Sequence, residues 1–293
     1  MLPPWLAGTI LDIPASYEAQ MFYGPQGDVA TVAVHERSIS CAWLSAAADE
    51  IRFVACQRGK KEAGLAVAGV LVAVLREALL RQNKLLLHAA AVRCSDGTGV
   101  LIQADSGGGK STTALSMVRN GASMLSDDLI FLDGGNENIF SMTGFPEEMN
   151  LTDQTLAFFP ELGSAKDWPG PPPPPSDWTE SYSTKARVNL QTVYPHALWA
   201  DKILLQAMYF VRVSKQGPLA KQLSPAETLG RLIKSYTFAV GQKMSPAMGG
   251  RLVELAHALP AYIIETGTDP VALGIWLNEN SRTLAAGKGN KLG

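Results

Sequence analysis

Between residues 99 and 118 the chain passes from an apolar run, Gly99-Val100-Leu101-Ile102, through Ala104-Asp105-Ser106-Gly107-Gly108-Gly109-Lys110-Ser111-Thr112, into Thr113-Ala114-Leu115-Ser116-Met117-Val118. No other stretch restricts the fold as much. The first run reads as a buried strand and the last as a helix. A glycine loop between a strand and a helix N-terminus places free N–H groups and the helix dipole at one spot, which favours an anion. Consecutive glycines let those N–H groups curl inward, Lys110 supplies charge for β- and γ-phosphates, and Ser111 supplies a hydroxyl for Mg²⁺. The pattern is G-x-x-x-x-G-K-[ST] with Ala104 in the first glycine position, which requires Ala104 to keep a negative φ.

Sixteen residues after Ser111 stand Asp127-Asp128, at the end of the apolar segment Ala122-Ser123-Met124-Leu125-Ser126 and at a Walker-B-like distance from the loop. Adjacent carboxylates on extended chain point to opposite sides. One could therefore hold Mg²⁺ with Ser111 while its neighbour faces an acceptor and takes a hydroxyl proton. The same Ser-Asp-Asp is also good turn chemistry. His88, on the strand before the loop, reads by itself as a core histidine.

A net charge of −2 with no basic strip among aromatics argues against general nucleic-acid binding. Cys41, Cys56 and Cys94 are odd in number and lack metal-ligand spacing, so they read as reduced core residues. The longest apolar run, residues 63 to 75, has thirteen residues where a bilayer needs about twenty, and reads as a buried helix rather than a membrane span. Met1-Leu2-Pro3-Pro4-Trp5 does not read as a signal peptide, so the expected location is cytoplasmic.

Alternation in Val29 to Val34 and in Ile51 to Cys56, with turn-rich stretches between, predicts a small β-rich N-terminal domain. A connecting helix from Ala63 to Gln82 completes residues 1–82, with small Ala66, Gly69 and Ala73 suited to close packing. Strands and helices then alternate through residues 83–285: Leu85 to Val92, the phosphate-loop unit, and Leu129 to Leu132, followed later by Ala207 to Val213 and Ala261 to Glu265. This predicts an α/β core on a mixed sheet. Helices are predicted after the capping box Ser224-Pro225-Ala226-Glu227, after Ser245-Pro246, and from Pro270 to Asn278. Residues 163–183, with Pro171 to Pro175 between Trp168 and Trp178, predict a flexible insertion, and 286–293 a disordered tail.

The stretch Leu87 to Leu132 resembles the catalytic domain of bacterial HPr kinase/phosphorylase. A His-containing strand, a G-x-S-G-x-G-K-S loop, a helix ending in Gly and an Asp-Asp pair recur there in this order, here as His88, Asp105 to Ser111, Gly121 and Asp127-Asp128. The resemblance implies a P-loop kinase core of the HPr kinase and phosphoenolpyruvate carboxykinase type, using ATP and Mg²⁺ to phosphorylate a serine of a small protein. It implies that Asp105, Ser106, Gly107, Gly108, Gly109, Lys110, Ser111 and Thr112 hold the triphosphate. Asp127 is expected as the base with His88 supporting it, and Ser111 and Asp128 as metal ligands. Thr112 stands where HPr kinases usually carry Glu, and no Arg-Gly-Leu-Gly segment is present, so neither the HPr substrate nor phosphorylase activity is expected to carry over.

The chain is more similar to HPr-kinase-related proteins of peptide natural-product biosynthesis, including lasso-peptide precursor kinases. They share Leu-His-Ala-x-Ala-Val, Ser-Gly-x-Gly-Lys-Ser-Thr, Leu-Ser-Asp-Asp and a small N-terminal region. In them a Lys or Arg follows a variable insertion, a place taken here by Lys185 with Arg187. A cation there would neutralise charge on the transferred phosphoryl group. Glu147 or Glu148 is a further candidate for metal binding. The expected function is an ATP- and Mg²⁺-dependent kinase acting on a hydroxyl, a serine of a peptide or small protein, with a homo-oligomeric state implied by the family. A small-molecule kinase and a non-catalytic nucleotide-binding module are the alternatives.

Overall fold

The computed structural model describes residues 3–6, 20–35, 38–57, 63–134, 139–144, 149–167, 186–197, 202–237 and 246–288. The chain divides into two units, Met1–Leu86 with Ile233–Leu252, and Leu87–Leu232 with Val253–Gly293. The division differs from the sequence-based boundary at 82/83, and it assigns a segment expected in the second domain to the first. Of the expected flexible insertion 163–183, residues 163–167 are regular, ending a 3₁₀ helix (Pro160–Ala165) and forming a short strand (Lys166–Asp167), and of the expected disordered tail, 286–288 are hydrogen-bonded to the helix before them; 168–185 and 289–293 lie outside the described residues.

In the first unit, β1 (Gln20–Tyr23), β2 (Val29–His35), β3 (Ser38–Leu44) and β4 (Ile51–Gln57) form an antiparallel sheet in that order. β2 and β4 coincide with the alternating segments of the sequence, whereas β1 and β3 lie outside them. Ala33, Ala42 and Leu44 on one face pack against Val70, Val74 and Ala78 of α1 (Ala63–Arg81). Ala30, Val32 and Cys41 on the other face pack against Leu6. This two-sided burial follows from the period-2 alternation of small apolar residues in β2. The indole N–H groups of Trp5 and Trp43 both donate to Asp28 Oδ2, each at 2.8 Å.

The second unit takes over within β5 (Lys84–His88). The strand expected from Leu85 to Val92 is broken at Ala89, and β6 (Ala90–Arg93) starts beyond it. β7 (Gly99–Gln103), α2 (Lys110–Arg119), β8 (Ser123–Ser126), β9 (Leu129–Gly134) and β10 (Phe140–Gly144) follow. Then come β11 (Met149–Leu151), α3 (Asp153–Phe158), β12 (Lys166–Asp167), β13 (Ala186–Val188), β14 (Ile203–Leu204), β15 (Ala207–Arg212) and β16 (Leu219–Gln222). The last elements are α4 (Pro225–Thr237), α5 (Pro246–Ala258), β17 (Ala261–Glu265) and α6 (Pro270–Ala285).

The principal sheet is six-stranded, ordered β16-β17-β15-β7-β6-β8. Its centre is parallel, with β15 between β17 and β7, while β6 runs antiparallel to β7 and β16 to β17. One face carries Ile102, Tyr209 and Tyr262 against Leu115, Val118, Leu273 and Leu277 of α2 and α6. α6 lies close on α2: a Cβ on Gly274 would collide with the Ser116 carbonyl, and Asn278 Nδ2 donates to the carbonyls of Met117 and Asn120, each at 3.0 Å. A separate sheet pairs β10 with β9 and β14, and a small one is ordered β11-β13-β12. The capping box forms as its sequence predicts, with Ser224 N donating to Glu227 Oε2 at 2.8 Å and Glu227 N to Ser224 Oγ at 3.3 Å. α6 runs to Ala285, beyond the expected Asn278, from an N-cap supplied by Asp269 Oδ1. Among the described residues no helix is long and apolar enough to cross a membrane. Cys41 and Cys94 are free and buried, and burial pushes their thiols up to about 11 and about 12.

Candidate active site

All five residues of β7 are buried, because the strand lies between β6 and β15 with α2 and α6 across one face. The chain leaves it into the glycine loop. Gly107 and Gly109 adopt left-handed φ values of 72° and 93°, which glycine enters without the steric penalty other residues meet. Gly108 is constrained by space instead. A Cβ there would stand 2.8 Å from the Asp105 carbonyl oxygen, which accepts the Gly108 N–H at 2.7 Å. Ala104 keeps a negative φ, as the departure from the glycine pattern requires. Asp105 and Ser106 are exposed, and Asp105 shapes the loop through its carbonyl. Gly109 is the N-cap of α2 without a side-chain cap hydrogen bond, and no acid lies in the first turn of the helix.

Asp127 and Asp128 occupy the turn where the chain leaves the six-stranded sheet through β8 and enters the other through β9. That turn separates them. Asp127 is 6% exposed. Its Oδ2 accepts from Ser111 Oγ at 2.9 Å, its Oδ1 lies 3.3 Å from Lys110 Nζ, and its carbonyl accepts from the same ammonium. Burial raises its carboxyl above the usual aspartate range, against the pull of Lys110 and Ser111 and with a further push from Asp128. Asp128 has a side chain 57% exposed, with Oδ1 at 3.1 Å from His88 Nδ1 and 4.0 Å from Lys110 Nζ. The Asp128 carbonyl accepts from Ala89 N at 3.1 Å, so the break between β5 and β6 is held against the acid turn.

His88, Lys110, Ser111, Asp127 and Asp128 therefore meet in one place. Lys185, Glu147 and Glu148 lie outside the described residues. Arg187 is on β13, exposed and paired in register with Asn150 of β11 and Asp167 of β12. A connection the sequence did not suggest is a run of hydroxyls. Thr112 Oγ1 lies 2.9 Å from Thr155 Oγ1, which lies 3.1 Å from Thr152 Oγ1, the N-cap of α3. Nothing in the sequence pointed to the nearness of Thr152 and Thr155 to the loop.

The donor set suits a phosphate-bound hard cation. Among the described residues no group of three His, Cys, Asp or Glu could hold a metal ion. The Ser111 hydroxyl and the Asp127 carboxylate converge at 2.9 Å, which fits Mg²⁺ held by one or two protein oxygens plus phosphates and water. The left-handed glycines and the N-terminus of α2 fit the phosphates themselves.

No family model matches the sequence, and no curated protein matches it. Among solved structures the chain is similar to the Hpr(Ser) kinase/phosphatase from Coxiella burnetii, at 12% identity and a TM-score of 0.34, over 68% of this chain and 97% of that one. A likeness this loose carries neither activity nor substrate.

Proposed function

We propose that the protein is a phosphotransferase that moves the γ-phosphate of ATP, with Mg²⁺, to a hydroxyl, a serine of a peptide or small protein. The observation that carries the reading is the division of the acid pair: Asp127 is buried on Ser111 and Lys110, while Asp128 is exposed on His88. The resemblance of Leu87 to Leu132 to HPr-kinase-related proteins supports the serine and the peptide.

In this reading Asp127 and Ser111 hold the metal and Asp128 is the base, the reverse of the assignment made from sequence. A base must be reachable by the incoming hydroxyl, and Asp127 is enclosed with both carboxylate oxygens occupied. Mg²⁺ held by Asp127 and Ser111 would supply charge neutralisation on the phosphates. Lys110, which lies on Asp127, would supply positive charge to the phosphates, and the N–H groups of residues 106–112 would donate to them. Asp128 accepts the proton of the attacking hydroxyl while His88 Nδ1 holds its carboxylate in place.

The test is transfer of label from γ-labelled ATP with Mg²⁺ to serine peptides by wild type, Lys110→Ala, Asp127→Asn and Asp128→Asn. Asp128→Asn is expected to lose about 10²- to 10⁴-fold in transfer rate with Mg·ATP affinity kept. Asp127→Asn is expected to lose Mg²⁺-dependent nucleotide binding. The opposite pattern restores the sequence-based roles, and tight nucleotide binding without transfer to any acceptor leaves a binding module.

A further inference from the structure

His88, Lys110 and the acid pair gather on one side of the phosphate loop. In the order β17-β15-β7-β6-β8, Asp127 and Asp128 follow β8 and His88 precedes β6, so a terminal phosphate, if held by Lys110 and Ser111 as proposed above, would sit toward β6 and β8. On the other side β15 and β17 run parallel to β7 and to each other. Ligands of parallel sheets gather beyond such carboxyl ends.

Val213 stands there, one residue past the end of β15. It is 64% exposed, and its Cγ2 lies 3.4 Å from where a Cβ on Gly109 would be. It therefore abuts the last glycine of the loop. The backbone that carries it is braced against the end of β17. Arg212 and Ser214, on either side of Val213, both donate to the Glu265 carboxylate, Ser214 Oγ at 3.2 Å. Thr266 N donates to the Arg212 carbonyl at 3.2 Å, and Gly267 N to the Gln216 carbonyl at 3.1 Å. An uncovered valine on a strand end fastened in this way forms a fixed apolar wall.

We infer that Val213 is the wall on which the nucleotide base lies, so that the nucleoside leaves the phosphate loop on the β15 and β17 side, away from Asp128 and His88. The inference rests on the nucleotide reading above. An isopropyl group covers one face of a flat heteroaromatic ring and offers no hydrogen bond. Val213 thus contributes affinity for a purine without choosing between adenine and guanine.

Calorimetry on the full chain tests this, with Mg·ATP, Mg·GTP and Mg·tripolyphosphate titrated into wild type, Val213→Ser and Val213→Leu. Val213→Ser is expected to weaken both nucleotides about fivefold, the worth of one partly buried apolar face, with tripolyphosphate changed by no more than about twofold. Val213→Leu is expected to bind the nucleotides as wild type does. Unchanged nucleotide affinity in Val213→Ser, or an equal loss for nucleotides and tripolyphosphate, overturns the assignment. Wild type that binds tripolyphosphate as tightly as ATP also overturns it while leaving the phosphate loop intact. Wild type that binds none of the three overturns the nucleotide reading and the role of Val213 with it.

Discussion

Asp127 is a carboxylate enclosed by protein, and its surroundings make a stability experiment informative about its role. Burial raises its pKa in the folded chain above the ordinary 3.8. A carboxyl with a higher pKa folded than unfolded holds its proton more tightly when folded. The stability this supplies is fully present below the unfolded pKa and is lost as pH rises through the folded one. Above that range the ionised carboxylate is a burden that Lys110 and Ser111 offset only in part. Asp127→Asn removes the burden while keeping an oxygen for Ser111. The ligand-free variant should melt a few degrees above wild type at pH 8, where about 1 kcal/mol is worth roughly 2–4 °C for a chain of this size. The difference should shrink toward pH 4. A lower melting temperature at pH 8 would mean that the Lys110 pairing outweighs burial. The residue types and spacing of this site were legible in the sequence, whereas the two acids diverge in a turn and not, as expected, along extended chain. Which acid turns inward was not legible, because it depends on where β8 leaves one sheet and β9 enters another.

At the scale of elements, regular periodicity was readable and irregular junctions were not. β2, β4, α1 and β17 stand where their apolar patterns place them. β3, Ser38–Leu44, mixes Ser, Cys and Trp and shows no clean alternation, yet it lies at the middle of its sheet because β2 and β4 pair with it on either side. The break at Ala89 interrupts a run that is apolar except at His88, and at the break Ala89 N donates to the distant Asp128 carbonyl, a contact no local pattern shows. Arg81, in the last turn of α1, shows how one such junction is held. Its Nη1 donates to the carbonyls of Ser45 at 3.1 Å and Ala46 at 3.0 Å, its Nη2 to the carbonyl of Gly27 at 2.8 Å, and its Nε meets Glu77 at 3.1 Å. One side chain thus ties the β1–β2 turn and the β3–β4 turn to the helix. Arg81→Met should lower stability in urea by about 3 kcal/mol, because hydrogen bonds to charged groups contribute roughly 1.5–3 kcal/mol each and their losses overlap. Arg81→Lys should recover only part of it, since an ammonium lacks the planar fork that reaches both turns. Equal stability of Arg81→Met and wild type would show that the turns hold without the clamp.

The whole molecule departs from the linear reading in how the chain is shared between its units. A boundary at 82/83 treats everything after it as one domain, whereas Ile233–Leu252 belongs with Met1–Leu86. Local pattern cannot reveal this. In α4, Thr228 and Leu232 are buried at helical spacing, and an amphipathic helix reads the same whichever unit its apolar side meets. The end of α4 and the start of α5 thus belong to a unit whose other part lies about 150 residues earlier in the chain. A fragment of residues 83–293 keeps every residue of the phosphate loop and the acid pair but strips the segment 233–252 of β1 to β4 and α1. Trypsin should therefore cut the fragment at Lys234 and Arg251 while the full chain, under the same digestion, remains whole at those bonds, because cleavage follows the population of locally open chain. The sites being compared are identical in the two proteins, so a difference reports on packing and not on sequence. Equal resistance at both bonds, with Mg·ATP bound as tightly by the fragment as by the full chain, would show that 233–252 is held by the second unit after all.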